Sequence, residues 1–239
     1  MLDHLGTASA VERSVTAALS RLGSALPVPL LRSTYRLGCA DMATLRAAVA
    51  AVGLGDGPWW VGPSATPGAD AMLVEMGLRL VDELPLMSAS LESRSPDLPA
   101  PDGVAVTRVR SADDLRAWAV AYAGGHAHPP EMERAWCDVL ASLGLHDRAP
   151  LRHYVARRGG EPVASATVFL GAGVAGLYFV ATPPAWRGVG LGTAVTLHAL
   201  AAARTAGYGT AVLGAEAPAV NLYRRLGFRP GGVMRVYAG

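Results

Sequence analysis

The chain contains no lysine: its 21 basic residues are all arginine and stand against 19 acidic ones in 239 residues, for a formal net charge of +2. A P-loop of the form G-x-x-x-x-G-K-[ST] needs that lysine, so this class of phosphate site is excluded. There is no basic run and no basic helix interleaved with aromatics, and a near-balanced charge gives no electrostatic pull toward a phosphate backbone, so no nucleic-acid partner is expected. Cysteine is almost missing; Cys39 and Cys137 have neither metal-binding nor redox spacing, which fits a reduced, cytoplasmic setting. His126-Ala127-His128 is an H-x-H pair without a third ligand, and no metal is expected. The N-terminal stretch, with Asp3, His4, Glu12 and Arg13, lacks the basic start and long apolar run of a signal peptide. Mean hydropathy is high at +0.28, and Pro162 to Trp186 carries no charge, enough residues to raise a membrane span. Gly171, Gly173, Gly176, Pro183 and Pro184 cut that run into strand-sized pieces, so it reads as two buried strands and not as a membrane segment.

What the chain does have is a glycine-rich turn between a strand and a helix. Val180 to Thr193 reads V-A-T-P-P-A-W-R-G-V-G-L-G-T. The apolar, aromatic and β-branched run before it predicts a buried strand, Pro183 and Pro184 end it, and the charge-free stretch from Leu191 to Ala203 predicts a helix. Gly188, Gly190 and Gly192 allow backbone to approach a ligand closely. Backbone N–H groups at a helix start, with the helix dipole behind them, bind anions, and diphosphate is the natural guest, with Arg187 supplying charge nearby. A dinucleotide fingerprint needs G-x-G-x-x-G early in a βαβ unit; Gly188-Val189-Gly190-Leu191-Gly192 has another spacing and too little chain follows it.

Arg187, Gly190 and Gly192 form R-x-x-G-x-G, which resembles motif A of the GNAT acyl-CoA-dependent N-acyltransferase superfamily, [RQ]-x-x-G-x-[GA]. Leu222-Tyr223-Arg224-Arg225-Leu226-Gly227-Phe228 is similar to that superfamily's L-Y-x-x-x-G-F segment, with Ala219 as the small residue before it. Between the two motifs lies room for one helix, one strand and a short helix. The resemblance covers the last 135 residues or so, about one domain. It implies an α/β fold of α+β mixed-sheet type, the GNAT-like fold, and acetyl-CoA as cosubstrate.

Along the chain, Ala8 to Leu22 predicts an amphipathic helix, Leu26 to Tyr35 an extended stretch, Asp41 to Val52 a second helix and Pro58 to Gly62 a short strand. Ala69 to Leu80 then matches Ala219 to Arg229 at a shift of 150 positions: Leu73 falls on Tyr223, Gly77 on Gly227, Leu78 on Phe228 and Arg79 on Arg229. A diverged tandem copy and a chance helix ending at a glycine cap are both open on this match alone. The tandem reading makes residues 1–95 a degenerate GNAT-like domain without glycine loop or tyrosine. The polar, proline-rich stretch at 96–103 is the linker, and 104–239 the acetyltransferase domain. In the latter, Val104 to Val109 predicts a strand, Ser111 caps a helix to Ala123, Gly124 to Pro130 is a loop, and Glu131 to Leu143 is a helix. Strands over 151–157, 162–170 and 174–182 are joined by glycine turns. Thr210 to Gly214 is a strand, Pro218 to Leu226 a helix, and a last strand ends near Tyr237.

The resemblance assigns roles. Tyr223 is the general acid that protonates the departing thiolate; a phenol with an ordinary pKa of about 10 holds its proton at neutral pH. Phe179, Val180, Ala181 and Thr182 form a strand end that splays from its neighbour and receives the pantetheine arm, with the Val180 N–H as oxyanion contact. Arg187, Gly188, Val189, Gly190, Leu191, Gly192 and Thr193 hold the diphosphate. Glu216 stands where relatives carry Asn or Ser against the cofactor, a departure that leaves its contact open. His126 or His128 can serve as base, or the pair is a solvated loop; His153 and His198 read as structural. The expected activity is transfer of an acetyl group from acetyl-CoA to a primary amine of a small molecule or peptide by direct attack, in a cytoplasmic protein that admits a homodimer. A non-catalytic acetyl-CoA sensor or interaction module is the competing reading.

Overall fold

The computed structural model describes residues 10–15, 17–18, 42–43, 46, 58–92, 100–126 and 130–239. Residues 10–15 and 17–18 are helical, as are 42–43 and 46. The extended stretch expected at 26–35, the remainder of the two N-terminal helices, the first half of the linker (96–99), Cys39 and His128 lie outside the described residues. The chain forms two compact units, one of Met1–Ser88 with Val212–Gly239 and one of Ala89–Ala211. These cut the chain at other places than the segments read from the sequence, because a compact unit follows strand pairing and the last strand pairs with the segment near residue 85.

In the unit Ala89–Ala211 the described elements run β3 (Val104–Arg108), α2 (Ala112–His126), α3 (Pro130–Ser142), β4 (Leu151–Arg158), β5 (Glu161–Gly171), β6 (Val174–Ala181) and α4 (Leu191–Thr205). The strand order is β6-β5-β4-β3, each pair antiparallel. Two-residue turns make the hairpins: Gly159 and Gly160 have φ of 57° and 89°, Ala172 and Gly173 of 55° and 78°, the left-handed pairs whose twist matches that of the strands. The Ser111 Oγ accepts the Asp114 N–H (3.1 Å) and donates to Asp114 Oδ2 (2.9 Å), a side-chain cap that fixes where α2 begins. In β5, Val163 to Leu170 are buried without a break. Successive side chains point to opposite faces, so both faces are covered, and α2 and α4 pack on this strand. The charge-free run therefore forms strands, and among the described residues no helix is long and apolar enough to cross a membrane.

The other unit contains β1 (Trp59–Val61), α1 (Ala69–Glu75), β2 (Arg79–Ser90, to its residue 88), the end of β7 (Thr210–Gly214), α5 (Val220–Arg225) and β8 (Arg229–Ala238). Their order is β1-β8-β2-β7. Trp59, Val61, Met72, Leu73, Leu78 and Tyr237 form its buried cluster, and the Tyr237 hydroxyl donates to Asp70 Oδ1 at 2.6 Å.

This unit repeats itself. Ala69 N–H donates to Thr66 O, Met76 to Met72 O, Gly77 to Val74 O and Leu78 to Leu73 O; at an offset of 150 positions Ala219 donates to Glu216 O, Leu226 to Leu222 O, Gly227 to Arg224 O and Phe228 to Tyr223 O. Gly77 and Gly227 both take the left-handed conformation, φ 92° and 80°, that ends a helix in this way. Strands β2 and β8 then pair about Leu84 and Met234, and their register maps onto itself under the same offset: Glu83 faces Arg235 as Pro85 faces Val233, and Leu80 faces Tyr237 as Met87 faces Pro230. A chance helix with a glycine cap would not carry the preceding turn and the following strand register with it.

Candidate active site

The glycine-rich turn is shaped by backbone conformation rather than by space. After β6, Pro184–Trp186 makes one 3-10 turn; Gly188 has φ 81° and Gly190 φ 89°. A Cβ on Gly190 would meet only Pro101 Cγ at 3.7 Å, and one on Gly188 nothing within 4 Å. Glycine is needed here because L side chains disfavour these angles. Gly190 is the N-cap of the 15-residue α4 and offers no side chain to cap it, so the first-turn N–H groups of Leu191, Gly192 and Thr193 have no side-chain acceptor at the cap. Leu191 is buried and anchors the helix start, while Val189 is 51% exposed beside it. Such a helix start suits an anion, and the residues present fit a diphosphate.

Arg187 is more committed than a free charge beside that loop. Its Nε donates to Thr182 O at 2.9 Å and its Nη2 to Gly125 O at 2.8 Å, tying the end of β6 to the last turn of α2. Gly125 lies against β6 so closely that a Cβ there would stand 2.7 Å from Ala181 Cβ. Here the structure corrects the sequence reading: Gly124, Gly125 and His126 continue α2 and do not begin a loop. Low glycine propensity is outweighed by this packing and by the Arg187 bond. Arg187→Ala is expected to lower the melting temperature by about 2–4 °C per kcal/mol lost, and Arg187→Lys, which has no fork, should not restore it. Thermal melts check this; an unchanged melting temperature in Arg187→Ala would return Arg187 to a purely electrostatic role.

Phe179 sits at an irregularity of β6. Thr167 faces Tyr178 while Ser165 faces Ala181, so β6 carries one residue more than β5 across this interval, and Phe179 takes φ 52°. The Phe179 carbonyl accepts from Ser165 Oγ at 3.1 Å. Around its ring stand Trp136 (centroids 5.0 Å apart), Tyr122 (5.3 Å) and Trp118 (5.8 Å). The sequence reading missed these three. Their one local signal is Trp118 and Tyr122 at i and i+4 on α2, a spacing that puts both on one helix face.

The histidines separate cleanly. His126 tilts against Tyr122 at 4.9 Å at the end of α2, half-buried. His153 is buried and shares a 2.8 Å hydrogen bond between Nδ1 and Thr167 Oγ1. Burial, helped by the Arg108 charge, pushes its pKa down to about 3, so it is neutral and structural at physiological pH. His198 Nδ1 bonds the Ala194 carbonyl at 2.9 Å within α4. Burial raises the Cys137 thiol, with Asp138 adding to it. Among the described residues no three His, Cys, Asp or Glu side chains are placed to hold a metal.

Tyr223 and Glu216 belong to the other unit. Tyr223 lies on α5, buried, with its ring edge-on to Phe228 at 5.7 Å. Its phenol is raised well above the ordinary value, first by burial and then by the negative charge of Glu216. Glu216 itself is exposed and precedes the Ala217–Ala219 3-10 turn.

The profile of the Acetyltransferase (GNAT) family matches residues 112–228, from the first turn of α2 to the phenylalanine after α5. The mycothiol acetyltransferase of Nocardia farcinica is 32% identical over 219 residues, 82% of this chain and 68% of that protein. The mycothiol acetyltransferase of Catenulispora acidiphila is 31% identical over 180 residues, 69% of this chain and 56% of that protein. The match spans about half the length of several such relatives. A solved GCN5-related N-acetyltransferase from Kribbella flavida aligns over 82% of this chain and 72% of its own with a TM-score of 0.62 and 26% identity.

Proposed function

The chain belongs to the GNAT acetyltransferase family, and from that premise we propose that it transfers an acetyl group from acetyl-CoA to a primary amine of a small molecule or peptide. The observation that carries the reading is the uncapped start of α4 behind two left-handed glycines, directly after the irregular end of β6. Leu191, Gly192 and Thr193 N–H groups bind the diphosphate, the left-handed Gly188 and Gly190 shape the turn that presents them, and Arg187 fixes the loop while adding positive charge. Phe179 to Thr182 offer backbone groups to the pantetheine arm, and the Val180 N–H faces the developing oxyanion. Bound acetyl-CoA supplies an activated thioester, so the residues have only to orient it, stabilise charge and manage protons. Tyr223 holds a proton at Oη for the departing sulfur. His126, at the end of α2, can relay the amine's proton.

Residues 1–95 are, in this proposal, a degenerate GNAT-like domain joined through 96–103 to the acetyltransferase domain 104–239. The repeated hydrogen bonds and register support it, and Leu73, buried where the repeat carries Tyr223, makes the first copy silent. Protein and acceptor meet in the cytoplasm.

A screen of amines for thiol release from acetyl-CoA tests the function, starting with mycothiol-related compounds because the relatives bear that name. At least one amine should give stoichiometric free thiol and N-acetylated product. Tight acetyl-CoA binding with no turnover of any amine would favour a sensor instead, the reading that exposed Glu216 at the cofactor position supports; no binding would reject both.

A further inference from the structure

A left-handed backbone is uncommon at any residue with a Cβ, and for a bulky one it is an outlier. Such a conformation persists when its surroundings over-determine it. At Phe179, φ 52°, the surroundings act on both ends of the residue. The ring meets Trp136, Tyr122 and Trp118 edge-on, at interplanar angles of 62°, 81° and 87°. Those rings are themselves fixed: Trp118 stacks on Tyr122 at 5.3 Å and 16°, its Nε1 donates to Ala166 O at 3.2 Å, and Trp136 meets Tyr122 edge-on at 5.9 Å. The carbonyl is held by Ser165 Oγ, whose side chain is fully buried. Trp118 bonds the carbonyl of Ala166 while Ser165 bonds that of Phe179, so one stretch of β5 fixes both the wall and the strand it confines.

We propose that Trp118, Tyr122, Trp136 and Ser165 are positioning residues that clamp Phe179 in its left-handed conformation, and that this conformation aims the Val180 N–H at the reacting carbonyl. The second half rests on the function proposed above. A peptide N–H direction follows from the angles of the residue before it, so a return of residue 179 to ordinary strand angles would rotate the Val180 N–H away from the site. The aromatic wall thus sets catalytic geometry and not packing alone.

Two variants separate those roles because they remove the same ring. Phe179→Ala loses the aromatic half of the clamp but keeps the penalty on positive φ; Phe179→Gly loses that half and the penalty together, with the Ser165 bond left to hold the carbonyl. Crystal structures should show φ at 179 turned negative in the alanine variant and still positive in the glycine variant. In single turnover the alanine variant should lose about tenfold or more, as a transition-state donor is misplaced. The glycine variant should stay several-fold faster than alanine. Packing alone predicts the reverse order, since glycine is the larger truncation. An alanine variant as fast as the glycine variant, or one that keeps positive φ, would overturn the clamp. Ser165→Ala, which removes only a hydroxyl, gives a second arm: a loss of about fivefold in rate with unchanged acetyl-CoA affinity is expected, and an unchanged rate counts against the proposal. Wild type that fails to bind acetyl-CoA would reject the function, and the φ comparison would still decide the clamp.

Discussion

Gly190→Asp is expected to abolish acetyl-CoA binding, with a loss of roughly 100-fold or more in affinity. Two unit charges about 5 Å apart at an effective dielectric near 20 repel by about 3 kcal/mol, and each 1.4 kcal/mol or so is a factor of ten. The carboxylate would stand at the mouth of the α4 N-terminus, where the proposed diphosphate lies against the N–H groups of Leu191, Gly192 and Thr193. Strain adds to this, because Gly190 has φ 89°. Gly190→Ala separates the two effects. Its Cβ meets only Pro101 Cγ, at ordinary contact distance of 3.7 Å, so alanine carries the strain of about 1–2 kcal/mol without the charge. Calorimetry should place alanine roughly tenfold below wild type and aspartate far below alanine. Equal losses in both variants would mean that no anion sits there, and the diphosphate assignment would be wrong.

The left-handed turn before α4 was legible in the sequence because residue type dictates it: a left-handed cap needs glycine, and Gly188 and Gly190 both have positive φ. Glycine pairs likewise gave away the β4–β5 turn, and Ser111 the start of α2. Phe179 gave no such signal. A phenylalanine in a strand is ordinary, and the left-handed angle arises from rings on α2 and α3 that no local window contains. Arg187 was legible as a charge beside the loop but not as a tie, since its acceptor Gly125 is 62 positions away. The glycines at the end of α2 read as a loop because propensity is local, whereas the contact with Ala181 that holds them helical is not. The repeat was half legible: the match of Leu73 to Tyr223 showed in the letters, but the paired hydrogen bonds and the self-mapping register of β2 and β8 are properties of the backbone, which diverged side chains conceal.

Tyr223→Phe should lower the single-turnover rate of acetyl transfer by about 100- to 10,000-fold, the usual worth of an acid–base group, with acetyl-CoA affinity nearly unchanged. The ring would keep its edge-on contact with Phe228, so packing survives and only the hydroxyl is deleted. Burial first, and Glu216 second, raise the phenol above its ordinary value, so Tyr223 stays protonated throughout the neutral range and its own titration limb lies above about pH 10. Any fall in rate on the acid side of the profile therefore belongs to a group other than Tyr223. The same shift makes Tyr223 a weak acid, and complete transfer to a thiolate, whose thiol titrates near 8.5 or so, is uphill. Its help is then largest as charge develops on sulfur, a transition-state effect that appears in kcat and not in KM. Slow product release would hide the loss in steady state, which is why single turnover is the measurement to make. A variant as fast as wild type there would return Tyr223 to a packing role and leave the proton donor to another group.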